Sequence, residues 1–157
     1  MALFLSRFDN KVDRKGRVSV PAQFRAVLAA QSFQGIVAYP SPVLGAVEAC
    51  GMDRFAELAD GIDQGFNQFT DEHGVLATAL LSRSHQLQFD GEGRVMLPAP
   101  LIDHAGITDM ATFSGRGRTF QIWNPDAYDV YEREATEKAR EAAVNLDTIR
   151  PRGGDAA

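Results

Sequence analysis

Cysteine is almost missing from this chain. Cys50 stands alone among 157 residues, which excludes an intrachain disulfide framework and fits a reducing compartment. No run of about 18 apolar residues occurs and no charged-then-apolar leader opens the sequence, so neither a membrane partner nor secretion is expected. The three histidines, His73, His85 and His104, have no i,i+4 partner and no Cys/His spacing. No metal site and no cofactor is therefore expected. GxSxG, P-loop and GxGxxG patterns are absent too. Cys50 closes an apolar strand pattern and reads as a buried structural thiol, not a nucleophile. Without a nucleophile–base constellation the chain is not expected to be an enzyme, and a hydrolase is the weakest reading. The stretch GRGR, Gly115–Arg118, looks like a phosphate cradle. It falls between two strand patterns, however, and such an anion site needs a helix after it, so it reads as a basic turn.

Positive charge is also in short supply. The net charge is −5 and the pI about 5.1, which taken as a bulk figure argues against nucleic acid. Its distribution argues the other way. Residues 1–28 hold Arg7, Lys11, Arg14, Lys15, Arg17 and Arg25 against Asp9 and Asp13, a net of +4, leaving −9 for the rest. A basic patch on an acidic body suits phosphate binding while limiting indiscriminate adhesion. The 45% hydrophobic content supports a core in one compact domain or two small intertwined ones.

What the chain does have is a repeat. DRKGRVSVPA (Asp13–Ala22) aligns with DGEGRVMLPA (Asp90–Ala99) at an offset of 77, with six of ten positions identical. FLSR (Phe4–Arg7) faces LLSR (Leu80–Arg83) just upstream. That period is too long for a solenoid or propeller, so two half-domains related by a pseudo-twofold are expected. The window 78–105, equivalent to 1–28, carries a net charge of −1. The cations therefore belong to the first copy.

Each copy reads as strand, turn, strand, then helix. Asp13 and Asp90 suit the first turn position, where the carboxylate accepts backbone N–H bonds, while Gly16 and Gly93 suit a positive φ at the fourth. After the turns, Val18 and Val20 alternate with Arg17 and Ser19, and Val95 and Leu97 with Arg94 and Met96. Pro21 and Pro98 end the strands and suit the first position of a helix. Phe24, Val27 and Leu28 form one apolar stripe, and Leu101, Ile102 and Ala105 the other, with Gly106 as a stop. Return strands follow at Gly35–Pro40 and Met110–Gly115. Further strands are expected near Ala46–Ala49 and Thr119–Trp123, and helices then open at Met52–Leu58 and Asn124–Tyr131. The segment Asp60–His73 reads as a Gly- and Asp-interrupted connector, with helix over Asp71–Leu81. A long helix is expected over Asp126–Leu146, supported by a Glu134–Lys138 pair, and a disordered tail after it.

The two turns could be read as paired acid/base carboxylates, but capping explains Asp13 and Asp90 more simply. A ribbon carrying Arg14, Lys15 and Arg17 at a rigid tip, with Lys11 just before it, can enter a major groove. There Arg reads guanine edges and Lys meets phosphates.

At these residues the chain resembles the MraZ family of bacterial transcription regulators, in the SpoVT-AbrB (swapped-hairpin) superfamily. The likeness rests on two Asp-x-x-x-Arg motifs, Asp13–Arg17 and Asp90–Arg94, each followed by Val-x-[Val/Leu]-Pro-Ala, and it covers roughly residues 3–145. It implies an α+β fold in which two tandem βαβ-type, AbrB-like half-domains form one pseudo-twofold barrel, with peripheral helices and a long C-terminal helix. The implied domains are 3–58 and 80–146, with a linker at 59–79 and a flexible tail at 147–157. The resemblance further implies a cytoplasmic, nucleoid-associated homo-oligomer, a closed ring, bound to double-stranded DNA. It would act on short G-rich direct repeats upstream of its own operon, in the division and cell-wall cluster. Arg17 is then the leading DNA contact, supported by Lys15, Arg14 and Lys11, with Arg94 matching it in the second copy. Asp13, Gly16, Asp90 and Gly93 shape the turns. Gly91 and Glu92 replace Arg14 and Lys15 in the second copy, so Arg94 is expected to contact DNA less and to serve assembly in part. The alternative is a protein-binding module, antitoxin-like or a scaffold, using the C-terminal helix.

Overall fold

The first strand of each copy leaves its own copy to pair. In the computed structural model, which describes residues 2–142, β1 (Arg7–Lys11) runs antiparallel to β7 (Met110–Gly115) of the second copy, with Phe8 opposite Phe113. Reciprocally, β5 (His85–Gln88) of the second copy lies along β3 (Gly35–Pro40) of the first, with Leu87 opposite Ile36. Within each copy the return strands form hairpins. β3 pairs β4 (Val47–Cys50), and β7 pairs β8 (Phe120–Trp123). β4 and β8 join the two hairpins, with Glu48 opposite Gln121. The resulting sheet has the order β1-β7-β8-β4-β3-β5. Exchanging the copies leaves that order unchanged, as a pseudo-twofold requires.

Two expectations are corrected here. Each turn was expected to join two neighbouring strands of its own copy. Instead β2 (Arg17–Ser19) pairs β6 (Arg94–Met96) across the copies, and β1 joins β2 through a Val12–Val18 bridge and an Asn10 Nδ2 bond to Ser19 O at 2.7 Å rather than a strand ladder. The sheet also does not close into a barrel. β1 and β5 remain its two edges, because β2 and β6 take up each other's backbone groups in a separate ribbon.

Helices α1 (Ala22–Leu28) and α4 (Ala99–Ala105) follow the ribbon strands. Pro21 and Pro98 occupy the N-cap, one residue earlier than the first helical position, and Gly106 stops α4 at φ 63°. The stripes bury Phe24, Leu28, Leu101 and Ala105. Phe24 is the hub of the core. Its ring meets Phe4 at 5.2 Å, Phe8 at 5.5 Å, Phe113 at 6.4 Å and Phe120 at 4.9 Å, several edge-on, a geometry favoured by the ring quadrupoles. A helix of the first copy thus packs on β7 and β8 of the second. The N-terminal segment locks this arrangement. Phe4 and Gly117 exchange backbone bonds, at 2.7 and 2.9 Å, so GRGR lies in the β7–β8 hairpin. The chain passes so close that a Cβ on Gly115 would sit 2.5 Å from Phe4 backbone atoms.

The connecting segment is more helical than its glycines suggest. α2 (Met52–Gly65) runs through Gly61 because Phe55, Leu58 and Ile62 share one face, and burial of Ile62 outweighs a glycine cost of about 1 kcal/mol. α3 (Asp71–Leu76) is capped by Thr70, whose hydroxyl accepts from the His73 N–H at 3.3 Å. It passes into a π-helical turn at Ala77–Ser82 where a continuous α-helix was expected.

Residues up to Pro125 form one compact unit and those from Asp126 another. Apart from its first residue, α5 (Pro125–Glu141) belongs to the second. Its described i,i+3 pair joins Glu137 to Arg140 at 3.8 Å. Among the described residues the expected Glu134–Lys138 pair is not closed. The end of that helix expectation, through Leu146, and the tail lie outside the described residues.

Candidate nucleic-acid interface

The two turns are built by the same bonds. Gly16 donates its N–H to Asp13 O at 3.0 Å, and Gly93 to Asp90 O at 3.1 Å. The glycines take φ 84° and 75°, a conformation that costs a side-chain-bearing residue about 1–2 kcal/mol. Asp13 Oδ1 accepts from the N–H groups of Lys15 (3.0 Å) and Arg17 (2.8 Å), and Asp90 Oδ1 from those of Glu92 (2.9 Å) and Arg94 (3.0 Å). The second carboxylate oxygen then takes the arginine Nε, at 2.6 Å in the first copy and 2.9 Å in the second. Bonds from the Arg17 and Arg94 backbones are the main cause holding the Asp13 and Asp90 carboxyls below the usual carboxylate range. Arg94 is raised in turn, chiefly by its bond to Asp90.

Spacing explains the motif. Four residues from acid to arginine close one turn, so a single carboxylate caps the backbone and orients the guanidinium emerging from it. The Nε is engaged in both; in Arg17 this leaves the Nη edge of the fork as the reaching end, while Arg94 Nη2 lies within 3.7 Å of Glu92. The side chains of Arg17 and Arg94 remain 33% and 27% exposed.

The ribbon brings the turns together. Val18 opposes Val95 at its centre, and both are buried. Beyond them Val20 donates to Gly93 O at 3.1 Å and Leu97 to Gly16 O at 2.9 Å. Each turn glycine is thus a pairing residue of the other copy's strand. Alternation puts Arg17, Ser19, Arg94 and Met96 on the outer face, with Arg17 opposite Met96 and Ser19 opposite Arg94. Arg17, Gln88, Phe89, Asp90, Arg94 and Met96 line a shallow concavity of about 400 Å³.

The predicted cations do not all converge. Arg14 and Lys15 are exposed at the first tip, whereas Lys11 ends β1 at the sheet edge and does not line the concavity. In the second copy Glu92 lies 3.7 Å from Arg94 Nη2, a rival for any anion there. One basic residue, counted in the first copy's patch but not singled out as a site residue, joins the site. Arg25 of α1 donates its Nε to Val20 O at 3.0 Å and lies across the second turn, so close that a Cβ on Gly93 would meet its guanidinium at 2.7–2.8 Å. The repeat offset held the signal. It pairs Arg25 with Ile102, which sits in the same way against Gly16, its Cδ1 3.4 Å from a Cβ there.

Other chemistry is sparse. Burial pushes the Cys50 thiol up to about 12, so it stays protonated at neutral pH. It lines a half-open hollow of about 440 Å³ with Tyr39, Arg54, Ile62 and Leu80. His73 meets Asp63 at 2.7 Å and His104 meets Leu44 O at 2.9 Å. Among the described residues, no three His, Cys, Asp or Glu side chains gather as a metal site, and no helix is long and apolar enough to cross a membrane.

The chain is 44% identical over 147 residues to the transcriptional regulator MraZ of Rickettsia bellii (strain OSU 85-389), covering 93% of this chain and 97% of that one. It belongs to the MraZ family. The family model described as "MraZ protein, putative antitoxin-like" matches residues 80–148. The Pelagibacter ubique (strain HTCC1062) protein of the same name is 44% identical over 137 residues, covering 87% of this chain and 88% of its own. That of Rickettsia canadensis (strain McKiel) is 42% identical over 146 residues, covering 93% and 97%. The protein is therefore a transcription regulator by family.

Proposed function

We propose that this protein is a cytoplasmic, sequence-specific DNA-binding regulator, without catalysis, that acts at its own promoter in the division and cell-wall gene cluster. Its sites are short G-rich direct repeats, and it binds them as a closed homo-oligomeric ring. The observation that carries this reading is the alignment of Arg17 and Arg94 on the outer face of one two-stranded ribbon, each held by its own aspartate. A ribbon of that width fits the major groove, and a guanidinium with a free fork edge suits guanine O6 and N7. Arg14 and Lys15 at the first tip serve phosphates. Arg25 supplies the second turn with a cation in place of those lost to Gly91 and Glu92. The first strands exchanged between copies support a swapped-hairpin classification.

The two turns contribute unequally. Glu92 repels phosphate and competes for Arg94, so the first copy dominates contact. Several such hairpins on neighbouring subunits then add through effective concentration, which suits tandem repeats. Gel shift on the DNA upstream of the protein's own gene tests this. Arg17→Ala is expected to abolish the specific shift and Arg94→Ala to weaken it less; equal shifts for wild type and Arg17→Ala refute the assignment. The "antitoxin-like" description of the family model favours a second reading, a protein-binding module. Recovery of a stoichiometric protein partner, with no DNA retained at low salt, would support that instead.

A further inference from the structure

Met96 is 54% exposed on the ribbon's charged face, at the end where it pairs with Arg17. The core does not require a large apolar residue there, because its neighbours Val95 and Leu97 supply the buried contacts of this segment, at 1% and 2% exposure. The first copy places Ser19 at the same position. Among the described residues, the other large exposed apolar side chains (Leu3, Leu5, Val43, Phe66, Phe69, Val75 and Val130) all lie off the ribbon. Met96 stands directly across from Arg17 and shares its concavity with Arg94. An apolar side chain beside two guanidinium groups gains nothing from water or from phosphate.

We infer that Met96 is a specificity-determining residue that reads the 5-methyl group of a thymine beside the guanine contacted by Arg17. This rests on the DNA-binding reading above. In the major groove the thymine methyl is the apolar group that base edges present. Cross-strand neighbours stand about 5 Å apart, between one and two base-pair rises of about 3.4 Å, so two long side chains there can reach adjoining steps. The unbranched thioether has the torsional freedom to seat against a methyl on either strand. Ser19, at the matching place near Arg94, has no such apolar reach. The duplicated ribbon thus reads an asymmetric site, as a direct repeat demands and a palindrome does not.

Deoxyuridine substitution isolates the methyl. The full-length protein first selects a duplex from a random DNA pool. Each fixed thymine is then replaced in turn by deoxyuridine, and binding is measured for wild type, Met96→Ala, Met96→Ser and Arg17→Ala. Burial of one methyl predicts that wild type loses about fourfold in affinity at one thymine next to a guanine, while both Met96 variants lose less than about twofold. An enriched site with no fixed thymine overturns the inference. So does an equal deoxyuridine penalty in wild type and variants, or a Met96→Ala loss that is uniform over all duplexes, the mark of a wedge rather than a reader. Those failures leave the DNA-binding reading intact. A pool with no enriched sequence, or Arg17→Ala binding as tightly as wild type, removes that reading itself.

Discussion

Asp13 and Asp90 each hold two backbone N–H groups and one arginine Nε, and this makes the turns sensitive to acid. Their carboxyls lie below the usual value in the folded chain, so the unfolded chain takes up protons first as pH falls. The stability they contribute is whole above the unfolded value of about 3.9 and is lost as pH drops through the lower folded values. Urea midpoints measured between about pH 5 and pH 3 are expected to fall less for an Asp13→Asn/Asp90→Asn double variant than for wild type. The same bonds explain why the turn residues were legible. An acid, a glycine and an arginine at fixed spacing describe a local structure that closes within five residues. Arg25 was not legible from its neighbours because its function depends on a turn 68 positions away in sequence. Arg25→Ile, which installs the residue found at the equivalent position 102, is expected to lower the slope of log affinity against log salt by about 0.9, the share of one phosphate. An unchanged slope in a salt titration would assign Arg25 to turn packing alone.

Elements were predicted well where burial and propensity agree, and less well where tertiary contacts decide. The alternation in β2 and β6 and the stripes of α1 and α4 are local patterns, and all four elements stand where expected. The partner of each strand is not a local property, so β1, β2, β5 and β6 pair between the copies although each turn joins strands of one copy. α2 extends through Gly61 because Ile62 finds a buried place that its sequence neighbours do not reveal. The ribbon makes a stringent demand on its glycines. Gly16→Ala must place a side chain at φ 84° with its Cβ 3.0 Å from Leu97 O, so a loss of at least about 1–2 kcal/mol is expected in chemical denaturation. Gly91 has open space around it, and Gly91→Ala is expected to stay within about 0.5 kcal/mol of wild type. Similar losses at both sites would mean that the ribbon contacts are not what holds the turns.

At the scale of the whole molecule, the copies cannot come apart without losing strands. β1 belongs to the second copy's hairpin, β5 to the first copy's, and Phe24 gathers aromatic rings from both. Phe24→Ala is expected to cost about 3–5 kcal/mol and to move a single unfolding transition seen by both near-ultraviolet circular dichroism and amide exchange, rather than melting one copy first. The duplicated motif implies two equivalent halves. That they are interleaved, with their arginine turns on one face, follows from pairing that no single copy encodes. The account's central claim is that this face meets DNA through Arg17. DNA crosslinked to the native protein in cells, recovered and placed on the genome, tests it most directly. The account predicts enrichment over G-rich tandem repeats upstream of the protein's own gene, and loss of that enrichment in a folded Arg17→Ala variant. The same enrichment with and without Arg17, or none in either, would contradict it.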